Sequence, residues 1–173
     1  MLSMAEASPP KVEFMVWLAL LGKLNTKDRL VKKRMIPSEL NQCTFCNRQN
    51  EDIDHVLLSC PVSWMVWKTT AEELGVQLTY EDNLRNFYTS WNNRRIYNKT
   101  RRKLWLTTFF STLWSLWMQR NAIIFRQQTM DVHSLCHIIK WRVASWSRAW
   151  DVKIPYSAEV LAQNFQAIPM LFQ

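Results

Sequence analysis

The chain has 173 residues, of which 48% are hydrophobic, enough to fill a sizeable core in one domain or in a small module attached to a larger body. Its 22 Lys and Arg outnumber 14 Asp and Glu, giving a net charge of +8 that favours polyanionic partners. Gly22 and Gly75 are the only glycines, which excludes every phosphate-cradling glycine loop, and the longest apolar run, 14–21, is too short to span a bilayer.

Residues 1–9 lack the basic start and cleavage site of a signal peptide and are expected to be disordered. With thiols kept reduced, this leads to the expectation of an intracellular chain that contacts no membrane. Pro9-Pro10 then precedes a helix over 11–23, in which Phe14, Trp17, Leu18 and Leu21 recur at helical spacing. Asn25 or Thr26 is suited to cap a second helix over 27–34. Its basic end, Lys32, Lys33 and Arg34, either complements the helix dipole in solvent or contacts phosphate. Pro37 stops that helix.

Cys43 and Cys46 follow, separated by two residues; eight residues separate Cys46 from His55 and four separate His55 from Cys60. A two-residue gap lets Cys43 and Cys46 meet one ion from a single tight knuckle, and His55 and Cys60 close the far side of a tetrahedron. Three thiolates and one imidazole leave no open coordination position, which argues for a structural Zn2+ rather than a catalytic one. The competing reading is of cysteines buried as small apolar residues or paired as disulfides. Between the ligands, residues 47–54 are polar and turn-prone.

Pro61 fits the first turn of the next helix, which carries Trp64, Trp67 and Leu74 and ends at Gly75. Residues 76–154 contain neither glycine nor proline and read as long helices. One is expected over 81–91, and a second over 95–125 after the Asn92-Asn93 break, with Leu106, Phe110, Leu113, Trp114, Trp117, Ile124 and Phe125 as its buried stripe. Asn121 interrupts the stripe and reads as a structural tie between helices.

Arg94, Arg95, Lys99, Arg101, Arg102 and Lys103 fall within ten residues. On a helix Arg95, Lys99 and Arg102 share a face about 10 Å long, with Tyr97 and Trp105 near enough to stack on bases of a single strand. A solvated basic face accounts for the same residues equally well.

Thr129 or Asp131 caps a last long helix to Trp150, with Val132, Leu135, Ile139, Val143, Trp146 and Trp150 as its buried stripe. His133 and His137 lie on the opposite face and Cys136 at the apolar edge, a poor arrangement for a second metal site and a better one for surface histidines and a buried free thiol. In the tail, a short helix is expected over 158–165, with Pro169 ending any continuation. Charge is uneven along the chain: +4 over 1–36, −4 over 37–80, +7 over 81–126 and +1 beyond. The metal loop is acidic and its flanks are basic, so phosphate contacts are expected from the flanks.

Three blocks in this order resemble a known family. Pro10-Lys11-Val12, Phe14, Trp17, Leu24, Thr26-Lys27-Asp28 and Leu30 are similar to the opening of the zinc-binding domain that follows reverse transcriptase in plant LINE-type, non-LTR retrotransposon polyproteins. The Cys and His pattern with Asp54-His55 and Cys60-Pro61, followed by Trp67, resembles that domain's metal motif. Trp114, Trp117, Arg120-Asn121 and Ile124-Phe125 look like the Trp-Arg-Asn-Phe block that follows it. The resemblance covers residues 10–126 and implies zinc ligands at Cys43, Cys46, His55 and Cys60, in an accessory domain that helps a polymerase handle its RNA template and target DNA. No Asp-Asp dipeptide occurs, so the paired carboxylates with which polymerases hold two metal ions are absent.

The expected fold is therefore all-α, a helical bundle with a small CCHC zinc-binding loop inserted between helices. The zinc-binding domain is placed at 10–80, a long-helix region packed on it at 81–154 and a tail at 155–173. The expected function is a non-catalytic, zinc-stabilised domain that binds RNA or DNA electrostatically through Lys32, Lys33, Arg34, Arg94, Arg95, Lys99, Arg101, Arg102 and Lys103. No small-molecule substrate is expected. The alternatives are a module that docks on a reverse transcriptase without touching nucleic acid, or a remnant of a decayed insertion. An enzyme ranks third, because no motif brings a nucleophile and a base together.

Overall fold

Helix initiators recur along this chain, and the computed structural model, which describes residues 8–173, is built from helices with no strand among those residues. The disorder expected for 1–9 lies, over residues 1–7, outside the described residues. Pro10 opens α1 (Pro10–Leu20), and Thr26 caps α2 (Lys27–Lys32), its hydroxyl accepting from the Arg29 N–H. Pro61 opens α3 (Pro61–Glu73), and Gly75 follows it at φ 71°, the left-handed conformation expected just beyond a helix end. Asn83, Asn98, Asp131 and Ser157 accept from backbone N–H groups at the starts of α4 (Leu84–Asn92), α5 (Lys99–Arg126), α6 (Val132–Ser147) and α7 (Ala158–Gln163). The chain closes on α8 (Ile168–Leu171), which Pro169 joins in its first turn rather than ending.

The central member is α5, about 42 Å long at 1.5 Å per residue, with α1, α3, α4 and α6 packed on it. Coverage from several sides buries its middle nearly all round, including Thr107, Thr108, Ser111 and Thr112. Two of these hydroxyls bond to backbone carbonyls, Thr108 Oγ1 donating to Leu104 O at 2.8 Å and Ser111 Oγ to Ile139 O on α6 at 3.0 Å, whereas Thr112 Oγ1 is buried without a partner among the described residues. A single apolar stripe is therefore an incomplete description of α5, and Phe125, assigned to it, is 75% exposed. Below α5 lies an aromatic cluster of Trp67, Phe87, Trp91 and Phe109, with ring centroids 5.0–6.1 Å apart, mostly edge to face. Trp91 and Trp105 stack at 3.8 Å, and each donates its indole N–H to the other's backbone carbonyl, at 3.0 and 2.9 Å.

Packing decides which face of α1 turns inward, and one helix start is corrected. On α1 the core takes Val12, Met15, Val16 and Ala19, while Phe14 and Trp17, stacked at 5.9 Å, are 59% and 51% exposed and Leu21 is exposed beside them. Both sets have helical spacing; the smaller side chains face inward, where α1 packs on α5. The helix expected over 95–125 begins instead at Lys99, because the Asn98 side chain accepts from Arg101 N–H and fixes the start there.

Candidate metal centre

Residues 41–60 form a short irregular loop pinned to the helices on both sides. Gln42 and Asn50 pair as an isolated antiparallel bridge, Cys43 N–H donates to Gln49 O at 2.7 Å, and Asn47 takes a left-handed φ of 53° to turn the chain. This knuckle presents the Cys43 and Cys46 sulfurs together. On the far side, one turn of π-helix (His55–Ser59) carries the chain from His55 to Cys60, which immediately precedes α3.

One ligand atom from each of Cys43, Cys46, His55 and Cys60 lies within 4.8 Å of all the others. Cys43 Sγ and Cys60 Sγ are 3.9 Å apart, and Cys46 Sγ is 3.3 Å from His55 Nε2. Tetrahedral coordination with metal–sulfur bonds of about 2.3 Å and metal–nitrogen bonds of about 2.0 Å sets sulfur–sulfur edges near 3.8 Å and sulfur–nitrogen edges near 3.5 Å. These two contacts match those values to within a few tenths of an ångström, and all four donors lie close enough together to share one ion. His55 turns Nδ1 toward Ser59 Oγ, 3.4 Å away, which leaves Nε2 for the metal. Cys43, His55 and Cys60 are buried.

All four cysteines of the chain are free thiols, so the disulfide reading does not apply. A hydrogen bond to Cys60, together with burial, pushes the Cys43 thiol above its ordinary range. The same bond lowers the Cys60 value, assisted by the N–H groups of Val62 and Ser63 in the first turn of α3. Of this pair, Cys60 is the readier to ionise. Cys136 is a buried thiol in α6, remote in character from this site, with its pKa pushed to about 11 chiefly by burial.

The acidity of the loop has an internal use. Glu51, fully buried, receives Arg120 Nε at 3.1 Å and Nη2 at 2.5 Å on one oxygen, with the Lys27 N–H at 3.1 Å on the same atom. Its other oxygen accepts from Thr44 N–H at 2.9 Å and from the Thr44 hydroxyl. One carboxylate therefore joins the metal knuckle, the start of α2 and the C-terminal part of α5. Burial raises its pKa, but the hydrogen bonds and charge of Arg120, with Thr44, outweigh burial and keep it below the ordinary carboxylate value. Asp52 accepts from His55 N–H at 2.8 Å, and Asp54 accepts from Leu84 N–H at 2.8 Å at the start of α4. Glu51 was missed as a key residue in the sequence because an acidic loop residue ordinarily reads as solvated. Asn121 accepts from Arg120 Nη1 at 3.0 Å, so it orients a neighbour rather than tying two helices together directly.

The basic residues fall into distinct environments. Lys32, Lys33 and Arg34 are exposed at the end of α2, with Lys32 paired to Asp28 at 2.7 Å, Lys33 bonded to Asn25 at 2.9 Å and Arg34 in the left-handed conformation that ends the helix. Arg95 precedes α5 and does not share a helical face with Lys99 and Arg102, which corrects the continuous strip expected from spacing. Arg102 donates to Arg94 O and Asn92 O, both at 3.0 Å, and so shapes the 93–98 loop. Lys103 lies 4.7 Å from the Trp150 ring centre, and Arg101 is half-buried. Arg94, Arg95 and Lys99 are exposed, and between them Tyr97 is 92% exposed. Trp105, its expected partner in stacking, is buried against Trp91. No helix among the described residues is long and apolar enough to cross a membrane.

Comparison with known proteins supports the reading of the loop. The family described as zinc-binding in reverse transcriptase matches residues 3–67, a stretch that contains all four candidate ligands, and supports a reverse transcriptase zinc-binding domain there. No curated protein and no solved structure matches the chain.

Proposed function

We propose that this chain is a non-catalytic accessory domain of a reverse transcriptase, held together by Zn2+ and binding single-stranded RNA or DNA through the loop before α5. An origin in a plant LINE-type, non-LTR retrotransposon is supported by the Trp114, Trp117 and Arg120-Asn121 block beyond the matched stretch. Zinc is favoured over other ions because three thiolates and an imidazole at tetrahedral spacing suit it best. A closed ligand set leaves no coordination position for a reacting group, which supports a structural role.

The observation that carries nucleic-acid binding is Tyr97. An almost fully exposed ring amid exposed Arg94, Arg95 and Lys99, beside an open cleft of about 490 Å3 that Asn92 and Asn93 also line, offers a stacking surface and phosphate contacts together. Titration of the zinc-loaded protein with single-stranded and duplex oligonucleotides tests the reading. Salt-sensitive binding, tighter for single strands, is expected, and absence of binding to either at low salt defeats it.

A second reading has its own observation. Phe14, Trp17 and Leu21 form an exposed apolar strip along α1, suited to docking on the polymerase. Folded, zinc-loaded protein that binds no oligonucleotide yet is retained by the polymerase, and loses that retention on Trp17→Ser, would favour docking.

A further inference from the structure

The first two turns of α6 carry a pair of side chains that neither the metal loop nor the basic loop uses. Asp131 fixes the helix start by accepting from His133 and Ser134 N–H at 3.0 and 3.3 Å, and from the Ser134 hydroxyl at 2.6 Å, so its carboxylate is engaged locally. One turn apart, His133 and His137 project from the exposed face, with ring centres 4.4 Å apart and planes at 76°. Their Nε2 atoms are 3.2 Å apart.

That spacing has a chemical meaning. Two imidazole nitrogens bound to one tetrahedral ion at about 2.0–2.1 Å sit about 3.3–3.4 Å from each other, and about 3.0 Å apart at adjacent corners of an octahedron. The observed 3.2 Å lies between these values. Little side-chain rearrangement is needed to chelate a cation, and the helix has already fixed both residues one turn apart. A carboxylate, Glu159 of α7, lines the same open cleft as His137 and adds negative potential on that side. The ammonium of Lys140, which also lines it, is turned to Glu73 at 3.1 Å.

We infer that His133 and His137 form a second metal site, separate from the Cys43, Cys46, His55 and Cys60 cluster, for a borderline divalent cation such as Zn2+ or Ni2+. Imidazole selects these over Mg2+ and Ca2+, which prefer oxygen. Its character is opposite to that of the cysteine cluster. Two protein ligands leave at least two coordination positions to water or to an incoming donor, so the ion exchanges readily and the site lies at the surface. Binding across one turn also clamps the start of α6, because an ion that binds only the folded helix stabilises it by mass action.

Calorimetric titration of the tag-free chain already carrying one equivalent of Zn2+ tests this. A second equivalent of Zn2+ or Ni2+ is expected to bind more weakly than the first. His133→Ala and His137→Ala should each reduce that second affinity at least tenfold, while leaving the first equivalent and the helical content unchanged. Met170→Ala, at an exposed position on α8, should leave both equivalents as they were. Saturation at one equivalent, or a second equivalent indifferent to both histidine substitutions, overturns the site. Because the first equivalent is read separately, failure here is distinguishable from failure of the cysteine cluster.

Discussion

Arg120 of α5 reaches 69 residues back along the chain to place two nitrogens, Nε and Nη2, on a single oxygen of Glu51, in a pair that solvent barely touches. Removing one partner strands the other charge in the interior, a loss of about 3–5 kcal/mol for buried pairs. Arg120→Met and Glu51→Leu should each lower unfolding stability by about that amount in denaturant titration, whereas the double replacement should cost less than the sum. Additive losses would mean that the two side chains are not coupled.

The same pair gives stability a pH dependence of definite sign. Glu51 has a folded-state pKa below its ordinary value, so its contribution is complete above the unfolded-state value of about 4.3 and is lost as pH falls through the folded-state value. Chemical denaturation between pH 6 and pH 3 should show stability decreasing in the acid range. Glu51→Gln should flatten part of that decrease while lowering stability at neutral pH.

Metal removal should act unevenly. The 41–60 loop anchors α2 through Lys27 N–H and α4 through Leu84 N–H, while α5 and α6 pack on each other directly. A chelator should release about one Zn2+ per chain and raise amide exchange in the loop and at the starts of α2 and α4, with the α5 core protected longest. Cys43→Ser should reproduce this pattern without chelator. Stoichiometric metal retained by Cys43→Ser would contradict the four-ligand arrangement.

Nucleic-acid binding separates into charge and stacking. Neutralising Arg94, Arg95 and Lys99 together should reduce the salt slope for single strands by about 2, at roughly 0.7 per phosphate contact. Tyr97→Ala should weaken single-strand binding by about 1–3 kcal/mol with little change in salt slope or in duplex binding. Tyr97→Phe, which keeps the ring, should retain most of the affinity; equal losses from both replacements would count against stacking.

Local signals in the sequence survived in the structure, and relations between distant elements did not announce themselves there. Thr26, Pro61, Gly75 and Asp131 act within one turn of their own positions, so their chemistry alone places helix ends. The Cys and His spacing marks four donors because coordination prescribes it. In contrast, α1 carries two apolar sets of helical spacing, and only packing on α5 decides that Val12 and Val16 face inward while Phe14 and Trp17 do not. Arg102 reads from sequence as a phosphate contact and Arg120 as one residue of the Trp-Arg-Asn-Phe block; their partners, the carbonyls of Asn92 and Arg94 for one and Glu51 for the other, come from folding. Tyr97 and Trp105 looked equivalent as stacking surfaces until the Trp91 contact removed one of them.

The reciprocal bonds between Trp91 and Trp105 span only 14 residues, against 69 for the Glu51 and Arg120 pair. Closing the longer loop costs about 1.4 kcal/mol more in chain entropy, by the logarithmic dependence on length. The α4–α5 hairpin can therefore assemble early from near neighbours, while docking of the metal loop onto α5 comes late in folding. Zinc would then act as the latch on a bundle whose aromatic floor has already formed, so the metal would govern the rate at which the chain comes apart more than the rate at which it comes together.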